Sequence, residues 1–286
     1  MEPFIRPAGP DDIEPVAALL HEKMNSKVPV ARWRQLMTYS WLTNKPDLGR
    51  VVDWGGRVCG FLGMVYSDRS VRGRTERIVD VSSWYLEKEL RGRGLGAGLM
   101  RAALADPDRS YCTMTASKLR LPIFAAVGFQ VLDDQRLVWR RRGAGDPRLA
   151  VERDAATVRA ATDVDQRRIL DDHAGLAVTP VLAQRDDARC LLVFSVKRKG
   201  ADVDTWDVLH TSDRRFLAGH GQALAEALLP EGPAALAADR RFVDGAAPGA
   251  TAEPLPVPRF YRSPRLAPHE IDHLYNELQL LDLKLD

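Results

Sequence analysis

A chain of 286 residues, 45% hydrophobic and 28% charged, has the composition of a folded globular protein long enough for two ordinary domains, not of a disordered or fibrous one. Its 41 basic and 39 acidic residues leave a net charge of +2 with no basic tail, so charge decides little about nucleic acid, and none is expected as a partner. No stretch approaches the ~20 apolar residues of a membrane span, the opening MEPFIRPAGPDD lacks an apolar signal core, and Cys59, Cys112 and Cys190 stand far apart, so a cytoplasmic protein with no disulfide framework and no thiolate metal site is expected.

Phe4 to Arg6 reads as a short strand, and Pro7 to Asp12 turns the chain and supplies an aspartate cap for an amphipathic helix from about Asp11 to His21. A second helix is predicted over Val30 to Leu42, where Trp33, Leu36, Met37 and Trp41 recur at helical spacing, as core or as the wall of a substrate cleft. Strands at Arg50 to Trp54 and Val58 to Val65 flank Gly55-Gly56, a two-residue hairpin signal, and Arg77 to Leu86 is the third strand of the meander. A glycine-rich turn, Arg91 to Gly96, then opens into the helix-favouring run AGLMRAALA. Ser110 to Thr115 is a strand, Leu121 to Val127 a helix with Pro122 in its first turn and Gly128 at its end, and Phe129 to Arg140 a strand pair. The order is that of a mixed α/β sheet, an α+β arrangement rather than an alternating doubly wound fold.

The run RRGAGDP, Arg141 to Pro147, reads as a break that divides the chain into 1–142, a linker at 143–150 and a second domain at 151–286. In the second part, Arg148 to His173 is polar and helical in pattern, strands follow near Val178 to Gln184, Cys190 to Lys197 and Thr205 to Leu209, and Phe216 to Leu229 is a helix with Asp213 near its start. Ala234 to Ala238 is a strand, GAAPGATAEPLPVP (Gly245 to Pro258) an exposed mobile loop, and a final helix follows Pro268 with Ile271, Leu274, Tyr275, Leu278 and Leu281 as its apolar stripe.

The stretch from Trp84 to Ala105 organises the rest. Three glycines in five residues, Gly92, Gly94 and Gly96, free the backbone so that successive N–H groups can converge on one ligand, and the positive end of the following helix points the same way. The ligand this suits is a phosphate or pyrophosphate. Glu87 and Asp80, near the end of the preceding strand, are candidate bases, direct or through water.

Arg91-Gly92-Arg93-Gly94-Leu95-Gly96, followed by Phe124-Ala125-Ala126-Val127-Gly128-Phe129, resembles the two signature motifs of the GNAT superfamily of acyl-CoA N-acyltransferases. The tail from Tyr261 to Leu283 looks like the end of two-domain bacterial members in which a degenerate copy follows the motif-bearing domain. The resemblance implies a GNAT fold over 1–142 with a GNAT-like accessory domain after it, and acetyl-CoA or another acyl-CoA as co-substrate, with no metal. It also implies an acyltransferase acting by direct attack of an amine or hydroxyl acceptor, a small molecule or a glycan of the kind used in cell-surface polysaccharide modification. By that resemblance Arg91, Gly92, Arg93, Gly94, Leu95 and Gly96 hold the pyrophosphate, Trp84 and Leu86 bond the pantetheine arm through their main chains, and the cleft lies between Tyr85 and the helix after Ser117. The second half has no counterpart of the glycine loop, Gly219-His220-Gly221 falling inside a helical pattern, so one CoA site is expected.

Two departures matter. The tyrosine that many members use to protonate the leaving thiolate corresponds to Phe124, and a CoA-contacting asparagine to Ser117. Tyr85, Tyr111 or Cys112 could take the acid's place, and a catalytically silent CoA-binding or protein-binding module is the rival reading. Two motif matches are weaker. Gly92-x-Gly94-x-x-Ala97 spells a dinucleotide fingerprint, but an antiparallel hairpin precedes it and no acidic strand end follows at the expected distance. His269-Glu270-Ile271-Asp272-His273 satisfies HExxH, yet the apolar stripe explains the segment as a packed helix.

Overall fold

The computed structural model describes residues 1–116, 120–143 and 145–285. They form two compact units, and the chain passes between them more than once: Met1–Gln130, Phe260–Ala267 and Tyr275–Leu283 make the first, and Val131–Arg259, Pro268–Leu274 and Lys284–Asp286 the second. Residues 131–142 and the RRGAGDP run therefore lie within the second unit, and two segments from late in the sequence lie in the first.

The first unit runs β1 (Phe4–Pro7), α1 (Ile13–Lys23), α2 (Val30–Thr38), β2 (Arg50–Trp54), β3 (Arg57–Val71), β4 (Arg74–Leu86), α3 (Leu95–Ala103), β5 (Ser110–Thr113) and α4 (Leu121–Ala126). Strands β1 to β4 pair antiparallel in sequence order. Gly55 and Gly56 turn the β2–β3 hairpin with φ of 63° and 83°, the paired left-handed conformation that matches strand twist. Strand β5 joins β4 in parallel, at Ile78↔Ser110, Val79↔Tyr111 and Asp80↔Cys112. Phe260, Tyr261 and Arg262 add the next strand, antiparallel to β5. The core under this sheet gathers Val16 and Leu20 of α1, Trp33 and Leu36 of α2, Phe61, Leu62 and Val65 of β3, and Leu99 and Met100 of α3. The aspartate at the head of α1 works otherwise than expected: Asp12 accepts from the Gly9 N–H at 2.8 Å and pairs with Arg6, rather than capping the helix.

The second unit repeats this order. Strand β7 (Leu149–Glu152) is followed by α5 (Ala155–Ala160) and α6 (Val164–Asp172), the meander β8 (Thr179–Arg185), β9 (Ala188–Lys199) and β10 (Val203–Thr211), then α7 (Arg214–Leu228) and β11 (Ala234–Asp239), parallel to β10. β6 (Gln130–Trp139), from the first half of the sequence, pairs antiparallel with β11. β12 (Thr251–Arg262) lies in this unit up to Arg259, beside β6. Each unit is thus completed by a strand from the opposite half of the chain.

Four predicted elements are corrected. Phe129 to Arg140 is one strand, not a pair. Arg148 to His173 contains β7 and two short helices because Asp154 and Asp163 each cap a new start, accepting from Thr157 N and Gln166 N. Gly245 to Pro258 ends in strand: Pro254, Pro256 and Pro258 fall on one side of an extended chain, so the other side keeps its donors for pairing. The helix after Pro268 is a single turn, Pro268–Glu270, and a separate short helix α8 (Glu277–Leu280). His269 and His273 are accordingly not on one helical face, and among the described residues no group of three His, Cys, Asp or Glu could hold a metal. Among them no helix is long and apolar enough to cross a membrane.

Candidate functional site

The site lies in the first unit, where β4 parts from β5. Their pairing ends at Asp80↔Cys112, and β4 continues to Leu86 with β3 alone on its other side. A bulge bends β4 there: Gly63 faces Ser82 and Phe61 faces Tyr85, and Ser83 takes up the extra residue at φ 47°. A Cβ on Gly63 would come within 2.8 Å of Ser82 Oγ, so the glycine is what lets the strands approach at the bend.

At the top of β4 the glycine loop enters α3. Gly92 and Gly94 have φ of 79° and 78°, and a Cβ on either would meet nothing within 4 Å, so the loop surface stands open. The N–H groups from Gly92 to Gly96 have no partner among the described residues, and α3 begins directly at Leu95. Arg91 and Arg93 are exposed beside them. Unpaired N–H groups, a helix N-terminus and two guanidinium groups fit the diphosphate of an acyl-CoA. The corresponding place in the second unit is closed to an anion: Asp213 heads α7 and its carboxylate already accepts the N–H groups of Arg215 and Phe216. Gly221 there serves packing, since a Cβ would come within 2.5 Å of the Trp139 ring.

Below the loop, Trp84 and Leu86 are buried and their carbonyls meet arginines: Arg91 Nε donates to Leu86 O at 3.0 Å, and Arg120 Nη2 lies 3.4 Å from Trp84 O. The Arg120 guanidinium also stacks 4.2 Å from the Trp84 ring, and burial followed by the charge of Arg91 lowers its pKa. Phe124 is buried, stacked on Phe260 at 5.7 Å and edge-on to Trp84 at 6.4 Å. Ser117 lies outside the described residues.

A cavity of about 600 Å³ opens in the fork. Trp33, Leu62, Met100, Phe124 and Leu281 give it apolar walls, and Ser82, Ser83, Thr115, Arg120 and Glu277 give it polar atoms. Glu277 is completely buried in character, 4% exposed, and is delivered by a chain reversal at Tyr275, whose φ is 60°. A reciprocal cap fixes the turn: Asn276 accepts from Leu278 N at 2.9 Å and Gln279 accepts from Asn276 N at 3.1 Å. The Ser83 hydroxyl donates to Glu277 at 2.6 Å, and the Thr115 hydroxyl donates to its other oxygen. Asp80, 3% exposed, accepts the Glu277 N–H at 3.3 Å. Burial, then the charge of Glu277, raises the Asp80 pKa well above the carboxylate range. Burial raises Glu277 as well, against the two hydroxyl donors, which favour its charged form.

Of the predicted catalytic residues, only Asp80 meets this cavity's machinery. Tyr85 and Glu87 line a separate depression of about 390 Å³ with Trp54 and Arg57, and Arg57 grips both Glu87 oxygens at 2.6 and 2.9 Å. The expected wall at Tyr85 is therefore formed by Trp84. Tyr111 spends its hydroxyl on Asp106 O at 2.9 Å, and Cys112 is buried. Sequence reasoning missed Glu277, Thr115, Ser83 and Arg120. One signal was available for the first: Asn276-x-x-Gln279 is a capping pattern, and it marks a helix start where an uninterrupted helix was read.

Residues 16–114 match the model of the Acetyltransferase (GNAT) family. Among solved structures, a GCN5-related N-acetyltransferase from Kribbella flavida is similar in fold, with a TM-score of 0.59 at 13% identity over 92% of this chain and 71% of that one. A GCN5-related N-acetyltransferase from Anabaena variabilis aligns with a TM-score of 0.58 at 11% identity, over 91% and 72%. A tandem GNAT protein from the clavulanic acid biosynthesis pathway aligns with a TM-score of 0.54 at 15% identity, over 93% of this chain and 100% of its own. No curated protein matches the chain in sequence.

Proposed function

We propose that the chain, whose residues 16–114 match the GNAT family model, is an acyltransferase carrying an acyl group, acetyl in the simplest case, from acyl-CoA to an amine or hydroxyl acceptor held in the same fork. The observation that carries the reading is the open glycine loop Arg91–Gly96 at the head of α3, beside the parted strand β4. Its free N–H groups would take the diphosphate, and the pantetheine arm would run along Trp84 to Leu86, displacing Arg120 from the Trp84 carbonyl. The acceptor's nucleophilic atom attacks the thioester carbonyl, the C–S bond breaks, and the proton lost by the acceptor ends on the CoA sulfur. Phe124 carries no proton and stacks in the core, so the thiolate leaves without help from that position.

A thermal-shift titration with CoA and acetyl-CoA tests this on the wild type and on Gly94→Glu, which sets a carboxylate and a strained backbone in the loop. A ligand at 100 times its Kd adds about 2.7 kcal/mol to the folded state. Stabilisation by CoA that is lost in the variant is the expected result; no stabilisation of the wild type at millimolar CoA would remove the basis of the reading.

A further inference from the structure

Resting on the acyltransfer reading, we propose that Glu277 is the catalytic base, with Asp80 as its positioning partner, and that the cavity takes a primary amine carried on an apolar body. Among the described residues the charged side chains lining the cavity are Glu277 and Arg120, and Trp33, Leu62, Met100 and Leu281 give it apolar walls. A carboxylate inside such walls is costly to bury unless it is hydrogen-bonded and has a task. Ser83 and Thr115 each donate to one of its two oxygens, the carboxylate has a further lone pair to offer, and the residue lines the cavity. Two residues that line the same cavity carry a buried polar atom with nothing to bond among the described residues: Trp33, 2% exposed, through Nε1, and Ser82, 3% exposed, through Oγ. Orphaned buried donors are rare and point to a group that arrives with the ligand. A long acyl chain would use neither these atoms nor the carboxylate. An amine whose body carries one hydrogen-bond acceptor uses all three.

The step balances as follows. The amine enters as its free base; its nitrogen lone pair forms the C–N bond to the thioester carbon while the C–S bonding pair leaves on sulfur. One N–H proton passes to the Glu277 carboxylate and from there to the thiolate, giving amide and CoA thiol. Asp80, whose pKa burial raises, accepts the Glu277 N–H and so holds that backbone in place. A base whose pKa lies above the ordinary glutamate range is better matched to an amine than a solvated one.

The full chain is assayed with acetyl-CoA by thiol release and amide mass, using tyramine, 2-phenylethylamine and glucosamine as acceptors. Tyramine, whose phenol oxygen accepts a hydrogen bond, is expected to exceed 2-phenylethylamine, which carries no acceptor, in kcat/KM, and both to exceed glucosamine at least tenfold. Glu277→Gln, which keeps both hydroxyl contacts, is expected to lose about 100-fold or more in kcat and the acid limb of the pH profile, and to retain CoA stabilisation. Asp80→Asn is expected to lower kcat, though less than Glu277→Gln does, to leave KM for acyl-CoA unchanged and to keep that limb, which the ionisation of Glu277 sets with Asp80, Arg120, Ser83 and Thr115 around it. Preference for glucosamine, or no amide from either apolar amine, overturns the acceptor class. A dead Asp80→Asn beside an active Glu277→Gln overturns the base. Each of these results is read on protein that CoA stabilises; loss of that stabilisation in the wild type would count against the acyltransfer reading instead.

Discussion

Two glycines two residues apart in α7 meet opposite surroundings. Gly221 touches the Trp139 ring so closely that Gly221→Ala forces the indole or the helix to move, whereas a Cβ on Gly219 meets nothing within 4 Å. Gly221→Ala is expected to destabilise by about 1–3 kcal/mol through overpacking, and Gly219→Ala to stabilise by about 0.4–1 kcal/mol by restricting the unfolded chain. Urea unfolding of both variants checks the pair; equal effects would count against the packing argument. At this scale the sequence is readable where chemistry is local. The left-handed glycines of the loop and of the β2–β3 turn were visible as residue types, because only their own backbone decides them. Glu277 was not, because what makes it special is Ser83, 194 positions away in the chain, and the burial they share.

Among elements, α8 is the most dependent on a single side chain. It has four residues, too few to be stable alone, and its Asn276 cap also orients Glu277. Asn276→Ala is expected to cost about 0.5–2 kcal/mol and to lower kcat more than it raises KM for acyl-CoA. A fall in stability with unchanged turnover would separate the cap from the site. The meander strands, α7 and the glycine-opened helix were all legible from periodicity and turn residues. β7 and β12 were not: β7 is only four residues long, and the prolines of β12 argue against a strand until its one-sided pairing is known. The predicted terminal helix failed for a related reason. Its apolar residues divide between Tyr275, Leu278 and Leu281, which belong to the first unit, and Ile271 and Leu274, which belong to the second, so a shared period concealed two destinations.

For the molecule as a whole, the second unit's buried charges set the acid response. His273 lies 2.7 Å from Asp239, with Arg241, Arg259 and Asp133 around it, and burial, then the charge of Arg241, lowers its pKa to about 4. A depressed histidine stabilises the fold above the unfolded value near 6.5 and loses that contribution as pH falls through about 4. Asp133, raised to about 6 by burial, acts oppositely: its contribution is full below the unfolded value and is lost as pH rises through about 6. His273→Gln is expected to lose less stability than wild type between pH 7 and pH 4.5, measured as the difference in urea midpoint at the two values. An equal or larger loss would remove histidine from the account. A chain cut after residue 142 is expected to lack a stable first unit, because β5 loses the strand at 260–262 and the fork loses Glu277. A cooperative unfolding transition for that fragment by circular dichroism would contradict it.

That exchange of strands also orders events in time. During synthesis β5 emerges about 150 residues before Phe260, a wait of roughly eight to thirty seconds at ~5–20 residues per second. Until then β5 lacks its outer partner and the carboxylate proposed to take the proton has not been made. Binding of acyl-CoA and the competence to spend it are therefore acquired together, when the late segments close the first unit, and not one after the other.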